Sequence, residues 1–204
     1  MTIQSYSEEQ IDALQEVVNI AMGQAGASLA SVFDIFVKLS VPRIKIMTVE
    51  DITHSMIRIV GENTEISAVR QAFYDSIRGE AILIFKNSGC GDLADLMGYE
   101  NELDAKNEQE LLLDVSNILV GAVLCGVAEI LDTELSFSAP SIMATGIHVE
   151  DLFHPHNLSW SHALLIEVNF SLEARDFTCH LVILMPEESI GRMRHTITRF
   201  MESM

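Results

Sequence analysis

Residues 12–42 read DALQEVVNIAMGQAGASLASVFDIFVKLSVP, and residues 110–140 read ELLLDVSNILVGAVLCGVAEILDTELSFSAP. The two stretches share a skeleton: a carboxylate, an Asn three residues later, a Gly four beyond that, and a Pro far downstream. Glu16, Asn19, Gly23 and Pro42 correspond to Asp114, Asn117, Gly121 and Pro140, and 114−16, 117−19, 121−23 and 140−42 all equal 98. Leu14/Leu112, Ile20/Ile118, Ala30/Ala128, Asp34/Asp132 and Ser40/Ser138 keep the same register. A constant offset through apolar, polar and chain-breaking positions marks one unit used twice. Two copies make a pseudo-symmetric pair rather than a solenoid.

Around the first copy, Ser7-Glu8-Glu9-Gln10 reads as a helix start. Ser7 can cap free backbone N–H groups, Gln10 completes a capping box, and the two glutamates suit the positive end of the helix dipole. Apolar residues from Ile11 to Val32 then recur at helical spacing, which predicts a long amphipathic helix to about Phe33. Pro42 stops it and opens a strand towards Glu50. Ser55–Val60, Ile66–Asp75 and Ser76–Lys86 read as antiparallel strands, with Gly61-Glu-Asn63 and Arg78-Gly79 as turns. A short helix over Gly91–Met97 ends at Gly98 and Asn101.

The second half repeats the order: a helix over Asn107–Leu131, a strand over Glu134–Thr145 around Pro140, a hairpin of Ser161–Leu172 with Asp176–Met185, and a helix from Pro186 to Phe200. Ala81–Phe85 falls on Cys179–Ile183 at the same offset, so the repeat covers nearly the whole chain, with His148–Asn157 as an insertion-like loop. The expected fold is α+β, one domain of residues 1–204 built from two pseudo-two-fold αβββα-like halves, about 7–98 and about 105–201. A central mixed or antiparallel sheet would carry the two long motif-bearing helices.

Composition narrows the partners. A net charge of −18 repels nucleic acid and anionic membrane surfaces and favours a partner with local positive charge. Cys90, Cys125 and Cys179 lack CxxC spacing, which suits a reducing compartment. The opening MTIQSYSEEQ is too polar for a signal peptide, and the longest apolar run, Ile118–Ala128, is too short to span a bilayer. A cytoplasmic protein is expected.

On a helix, Asp12, Glu16, Asn19, Gly23 and Gly26 fall in one stripe, each within roughly 40° of their mean direction. Its counterpart is Glu110, Asp114, Asn117, Gly121 and Cys125. Glycine inside a helix costs about 1 kcal/mol relative to Ala, so its recurrence on this face calls for a reason. A bare backbone next to a carboxylate and a carboxamide describes a ridge on which a partner surface could dock. A solvated helix face with glycines for internal helix packing would produce the same pattern.

Asp12-x3-Glu16-x2-Asn19-x3-Gly23, repeated as Glu110-x3-Asp114-x2-Asn117-x3-Gly121, resembles the signature of the CheC/CheX/FliY chemotaxis phosphatase family. The doubled motif, the length and the lack of an added C-terminal flagellar-switch domain are most similar to its CheC-type members. The resemblance implies hydrolysis of the aspartyl phosphate of a CheY-like response regulator in bacterial chemotaxis. It implies no cofactor or metal of the chain's own, because Mg²⁺ sits on the receiver. What remains is to place a water in line with the scissile bond, which is positioning rather than covalent chemistry. Asn19 and Asn117 are the residues to orient that water, since a carboxamide both donates and accepts. Glu16 and Asp114 would grip the receiver's lysine by charge-assisted hydrogen bonding. Asp114 and Glu110 depart from the family's usual residues, which ranks the first site above the second. A competing class is a non-catalytic binder: a sink for phosphorylated regulator, or an adaptor for the receptor deamidase CheD.

Elsewhere, His148, Glu150, Asp151, His154, His156 and His162 cluster without the spacing of a metal motif, and an exposed loop accounts for them. The thiols, with no neighbouring base, read as small buried hydrophobes.

Overall fold

The structure, a computed structural model, describes residues 6–33, 37–96, 98, 104–152, 162–172 and 177–203. The first half comprises α1 (Glu8–Phe33), β1 (Val37–Leu39), β2 (Arg43–Thr48), α2 (Val49–Val60), β3 (Glu65–Asp75), β4 (Gly79–Lys86) and α3 (Cys90–Leu96). The second comprises α4 (Ala105–Ile130), β5 (Leu135–Phe137), β6 (Ser141–His148), β7 (His162–Leu172), β8 (Thr178–Pro186) and α5 (Glu187–Glu202). Equivalent elements start 97 to 99 residues apart (105−8, 135−37, 141−43, 162−65, 178−79), so the repeat seen in the sequence is a repeat of structure.

The capping box at the head of α1 forms as expected: the Ser7 N–H donates to Gln10 Oε1 at 3.0 Å, and the Gln10 N–H to Ser7 Oγ at 3.2 Å. The head of α4 uses a cap outside the expected span, Asp104, whose Oδ1 accepts from the Asn107 N–H at 2.7 Å.

Two expectations are corrected. Ser55–Val60 is not a strand but the second half of α2. Thr48 caps that helix, its hydroxyl accepting from the Asp51 N–H at 3.2 Å. Ile52, Met56 and Val60 bury one stripe while Asp51, His54 and Arg58 stay exposed. The six-residue run was too short for its β-branched content to be told from a helical stripe. His148–Asn157 is likewise no insertion, because the offset is kept on both sides of it. In sequence it aligns at that offset with residues 50–59 of α2, and its described residues open with a 3-10 turn at Val149–Asp151. The expected element ends at Met97, Asn101, Ser161 and Asp176 lie outside the described residues.

All strands pair antiparallel in one eight-stranded sheet, ordered β1-β7-β8-β4-β3-β5, with β2 also on β7 and β6 also on β3. The halves therefore interlock. β1 and β2 of the first pair with β7 of the second, and β5 and β6 of the second pair with β3 of the first.

The repeated serine and proline have a structural role here. Leu39 faces Phe170 and Arg43 faces Glu167, four steps against three, and Phe137/Phe73 and Ser141/Arg70 show the same slip. Each is a bulge before a proline that has no N–H to donate. The serine repairs the ladder. Ser40 N–H donates to the Asn169 carbonyl and Ser40 Oγ accepts from the Asn169 N–H, both at 3.0 Å. Ser138 does the same with Ala72, at 2.9 and 3.0 Å.

Side chains on β4 and β8 alternate between two cores, as the period of a strand requires. Leu83, Phe85, Leu181 and Ile183 face the larger core beneath α1 and α4; Ile82, Ile84, Val182 and Leu184 face a smaller one beneath α2. By composition α4 is long and apolar enough to cross a membrane, but here most of its apolar window is buried in the larger core. Gly126 lets α4 approach α1, since a Cβ there would sit 3.0 Å from Ala21 Cβ and 3.1 Å from Ala21 Cα. Cys90 and Cys179 are buried as expected, whereas Cys125 is exposed on α4.

Candidate functional site

On α1 the inward residues are Leu14, Val17, Val18, Ala21, Met22 and Ala25. Packing them against the sheet and α4 leaves Asp12, Glu16, Asn19, Ile20 and Gly23 on the outer face, all exposed. On α4 the same logic exposes Glu110, Asp114, Asn117 and Cys125. The structure thus brings Glu16 together with Asn19, and Asp114 with Asn117, each pair one helical turn apart on a solvent-facing surface. Among the described residues, none of these four side chains has a hydrogen-bond or ion-pair partner. They are available to an incoming molecule.

The glycines sort into two kinds. A Cβ built at Gly23 or at Gly121 meets nothing within 4 Å, so internal packing does not explain either residue. Gly26, assigned to the same ridge by periodicity, is instead buried, with its would-be Cβ 2.8 Å from Leu39 Cδ1. That position is structural.

A clear contrast in stability follows. Gly23→Ala raises stability by about 0.5–1 kcal/mol, since Ala is the better helix former and has room. Gly126→Ala lowers it by about 1–3 kcal/mol, because the Ala21 backbone cannot move aside cheaply. Urea unfolding at matched pH measures both. A destabilised Gly23→Ala protein would mean that this glycine serves the fold after all.

The two sites are unequal. Gly23 and Ile20 are exposed on α1, while Gly121 and Ile118 are half-buried on α4, which sinks deeper into the larger core. Glu110 is also engaged by Lys106 at 3.5 Å, an exposed pair of small energetic weight. Ile20, 44% exposed between Glu16 and Gly23, adds an apolar contact to the first ridge. In the sequence it served only as a register mark, and no local signal reported its exposure. Within the histidine-rich loop, Glu150 plays a structural part. Its Oε1 accepts from the Asn63 N–H at 2.9 Å, tying the loop to the turn after α2. His154 and His156 lie outside the described residues, and among those described no three His, Cys, Asp or Glu side chains are placed to share a metal ion.

Two interlocked, helix-led halves on one antiparallel sheet, with the long helices side by side on one face, constitute the fold of the FliY, CheX and CheC-like chemotaxis proteins. The crystal structure of Thermotoga maritima FliY superposes with a TM-score of 0.74 at 18% identity, covering 97% of this chain and 100% of that one. CheX from Desulfovibrio desulfuricans gives 0.54 at 14% identity over 82% and 99% of the two chains. The middle domain of FliM from H. pylori gives 0.61 at 14% identity over 93% and 99%. No protein-family model matches the chain, and neither does any curated protein. At such identities the likeness is one of fold, and an activity has to be argued from the residues.

Proposed function

We propose that the chain is a phosphatase for the aspartyl phosphate of a CheY-like response regulator, working in the cytoplasm in bacterial chemotaxis. The observation that carries this is the pair of exposed, unpartnered carboxylate–Asn sets, each followed by a glycine that no internal contact requires. A receiver domain brings its own Mg²⁺ and its own phosphorylated aspartate. The chain supplies Asn19 or Asn117 to hold the attacking water in line, and Glu16 or Asp114 to pair with the receiver's lysine. The bare backbone at Gly23 and Gly121 lets the receiver surface approach the helix closely. The doubled motif supports the reading, and so does the fold shared with CheC-like, CheX and FliY proteins.

The FliM middle domain has this fold too, which keeps a non-catalytic reading in play: a sink for phosphorylated regulator, or an adaptor for the deamidase CheD. Adding the protein substoichiometrically to phosphorylated, Mg²⁺-loaded regulator separates the two. Several regulators dephosphorylated per molecule of protein is the expected outcome. Protection of the phosphate, or an unchanged lifetime, would overturn the catalytic reading.

A further inference from the structure

A second feature lies on the opposite face of the sheet from the motif helices. On β2, Ile44 and Ile46 point to the larger core while Arg43, Lys45 and Met47 point the other way, towards α2. With Ser55, Arg58 and Ile59 of α2 and Leu165 and Glu167 of β7 they line a recess of about 50 Å³. Three of the chain's 12 Lys and Arg residues therefore surround one small recess in a protein of net charge −18. Glu167, only 4% exposed, is its acidic floor. Burial pushes this carboxyl above the usual range, against the pull of Arg43, an Asn169 hydrogen bond and Lys45. Arg43 reaches it at 4.0 Å and keeps 70% of its own side chain exposed. Among the described residues, Lys45 and Arg58 have no carboxylate within ion-pair distance. Among the described residues the recess thus holds three cations and one anion.

The fold does not impose this arrangement. Where Arg43 faces Glu167 across β2 and β7, the pseudo-symmetric strands place Ser141 opposite Arg70, and Lys45 is matched at the 98-residue offset by Met143. A cationic group required for folding would be expected in both copies. The helix dipole explains Arg58, which lies in the last turn of α2, but not Lys45 on a strand.

Size and lining indicate what fits. A water needs roughly 10–15 Å³ measured this way, so the recess admits about three or four such groups, which suits a carboxylate. Met47, Ile59 and Leu165 supply apolar walls that strengthen charge–charge attraction by excluding water. Ser55 Oγ has the Met47 thioether at 3.9 Å as its acceptor, and would exchange so weak a partner for an oxyanion.

We propose that the recess between α2 and β2 is a binding site for a single carboxylate, held by Arg43, Lys45 and Arg58 with Ser55 as hydroxyl donor. The carboxylate belongs to a short acidic segment of a protein partner, because Arg43, Lys45 and Arg58 form a solvent-exposed, locally positive patch that complements it. The chain's net charge of −18 repels extended polyanions. Because the site is on the far side of the sheet from Asn19 and Asn117, it can be filled while either motif helix is engaged. It does not depend on the chain being a phosphatase.

The test titrates the full-length, ¹⁵N-labelled protein with an acetyl-(Glu)₄-amide peptide, and separately with sodium acetate and inorganic phosphate, at constant ionic strength. Saturable shifts of β2 and α2 amides with the peptide are expected. The Lys45→Gln/Arg58→Gln protein should bind it about tenfold more weakly or worse, and Glu167→Gln, which removes the one acidic group among the described residues of the recess, should bind it more tightly. Lys45 and Arg58 are exposed, so the double variant keeps its fold, and an unchanged thermal transition checks this. Acetate saturating the same amides as tightly per carboxylate as the peptide would overturn the assignment to a protein segment. Stronger binding of phosphate than of either carboxylate would overturn the ligand class. No saturable shift with any probe, or a double variant that titrates like the parent, would overturn the site.

Discussion

Asn19→Ala is expected to slow regulator dephosphorylation by about 100-fold, the order of loss when a reacting group is no longer held in line. The side chain is exposed and, among the described residues, has no hydrogen-bond or ion-pair partner, so its removal leaves no buried cavity and no orphaned partner there. Ala is also the better helix former, which makes the variant at least as stable as the parent. Activity and stability are thus expected to move in opposite directions, a signature that a structural residue does not produce. Asn117→Ala is expected to cost less. Its ridge is partly sunk into the larger core, and Asp114 is a methylene shorter than Glu16 for reaching a lysine. The double variant should lose the accelerated hydrolysis while still binding phosphorylated regulator through Glu16 and Asp114. Regulator-phosphate lifetime against each variant, alongside a thermal melt, decides the matter. A larger loss from Asn117→Ala would reverse the ranking of the sites, and a double variant as active as the parent would sink the proposed role of both residues.

The second large effect concerns the two halves. Expressed alone, residues 1–98 and 104–204 should each fail to fold as monomers, although each is nearly a complete repeat. In residues 1–98, β1 and β2 have no β7 to pair with, and β4 loses β8. The strand so exposed carries Ala81–Phe85, all buried in the intact chain. An open, apolar edge of that kind associates rather than staying in solution as a monomer. Pseudo-symmetry offers one rescue: a second copy of the same half can stand in for the missing one, giving a homodimer, and mixing the two halves should restore the native pairing. Circular dichroism and sedimentation of each half and of the mixture read the outcome. A monomeric half with a cooperative unfolding transition would show that the repeats are independent folding units.

The long helices were legible because helical periodicity is local. The spacing of Leu14, Val18 and Ala21 sets which face is buried, and the Ser7–Gln10 capping box sets where α1 begins. The α2 misassignment shows where local reading fails: six residues rich in isoleucine and valine satisfy either period, and only the burial of Ile52, Met56 and Val60 under one sheet face decides. Gly23 and Gly26 make the same point within a single helix. Spacing placed them on one ridge, yet Leu39, brought back from β1, covers the second and leaves the first bare. The basic recess was invisible for a related reason. Arg43, Arg58 and Glu167 are far apart in the chain, and nothing in their neighbourhoods announces that strand pairing brings them together.

The sequence by itself determined that the chain is one unit used twice, that each copy opens with a long helix, and that each helix carries a carboxylate and an Asn a turn apart. These are properties of order and period along the chain, and they survive whatever the halves do next. Only the tertiary structure decided how the halves combine. The exchange of β1 and β2 for β5 and β6 depends on which strand edges are left open once β4 and β8 have paired, a long-range outcome that no local pattern encodes. The same packing left Glu16 and Asn19 more exposed surroundings than Asp114 and Asn117, because α4 buries a wider arc of its surface than α1. Two sites alike in sequence thereby become unequal in space.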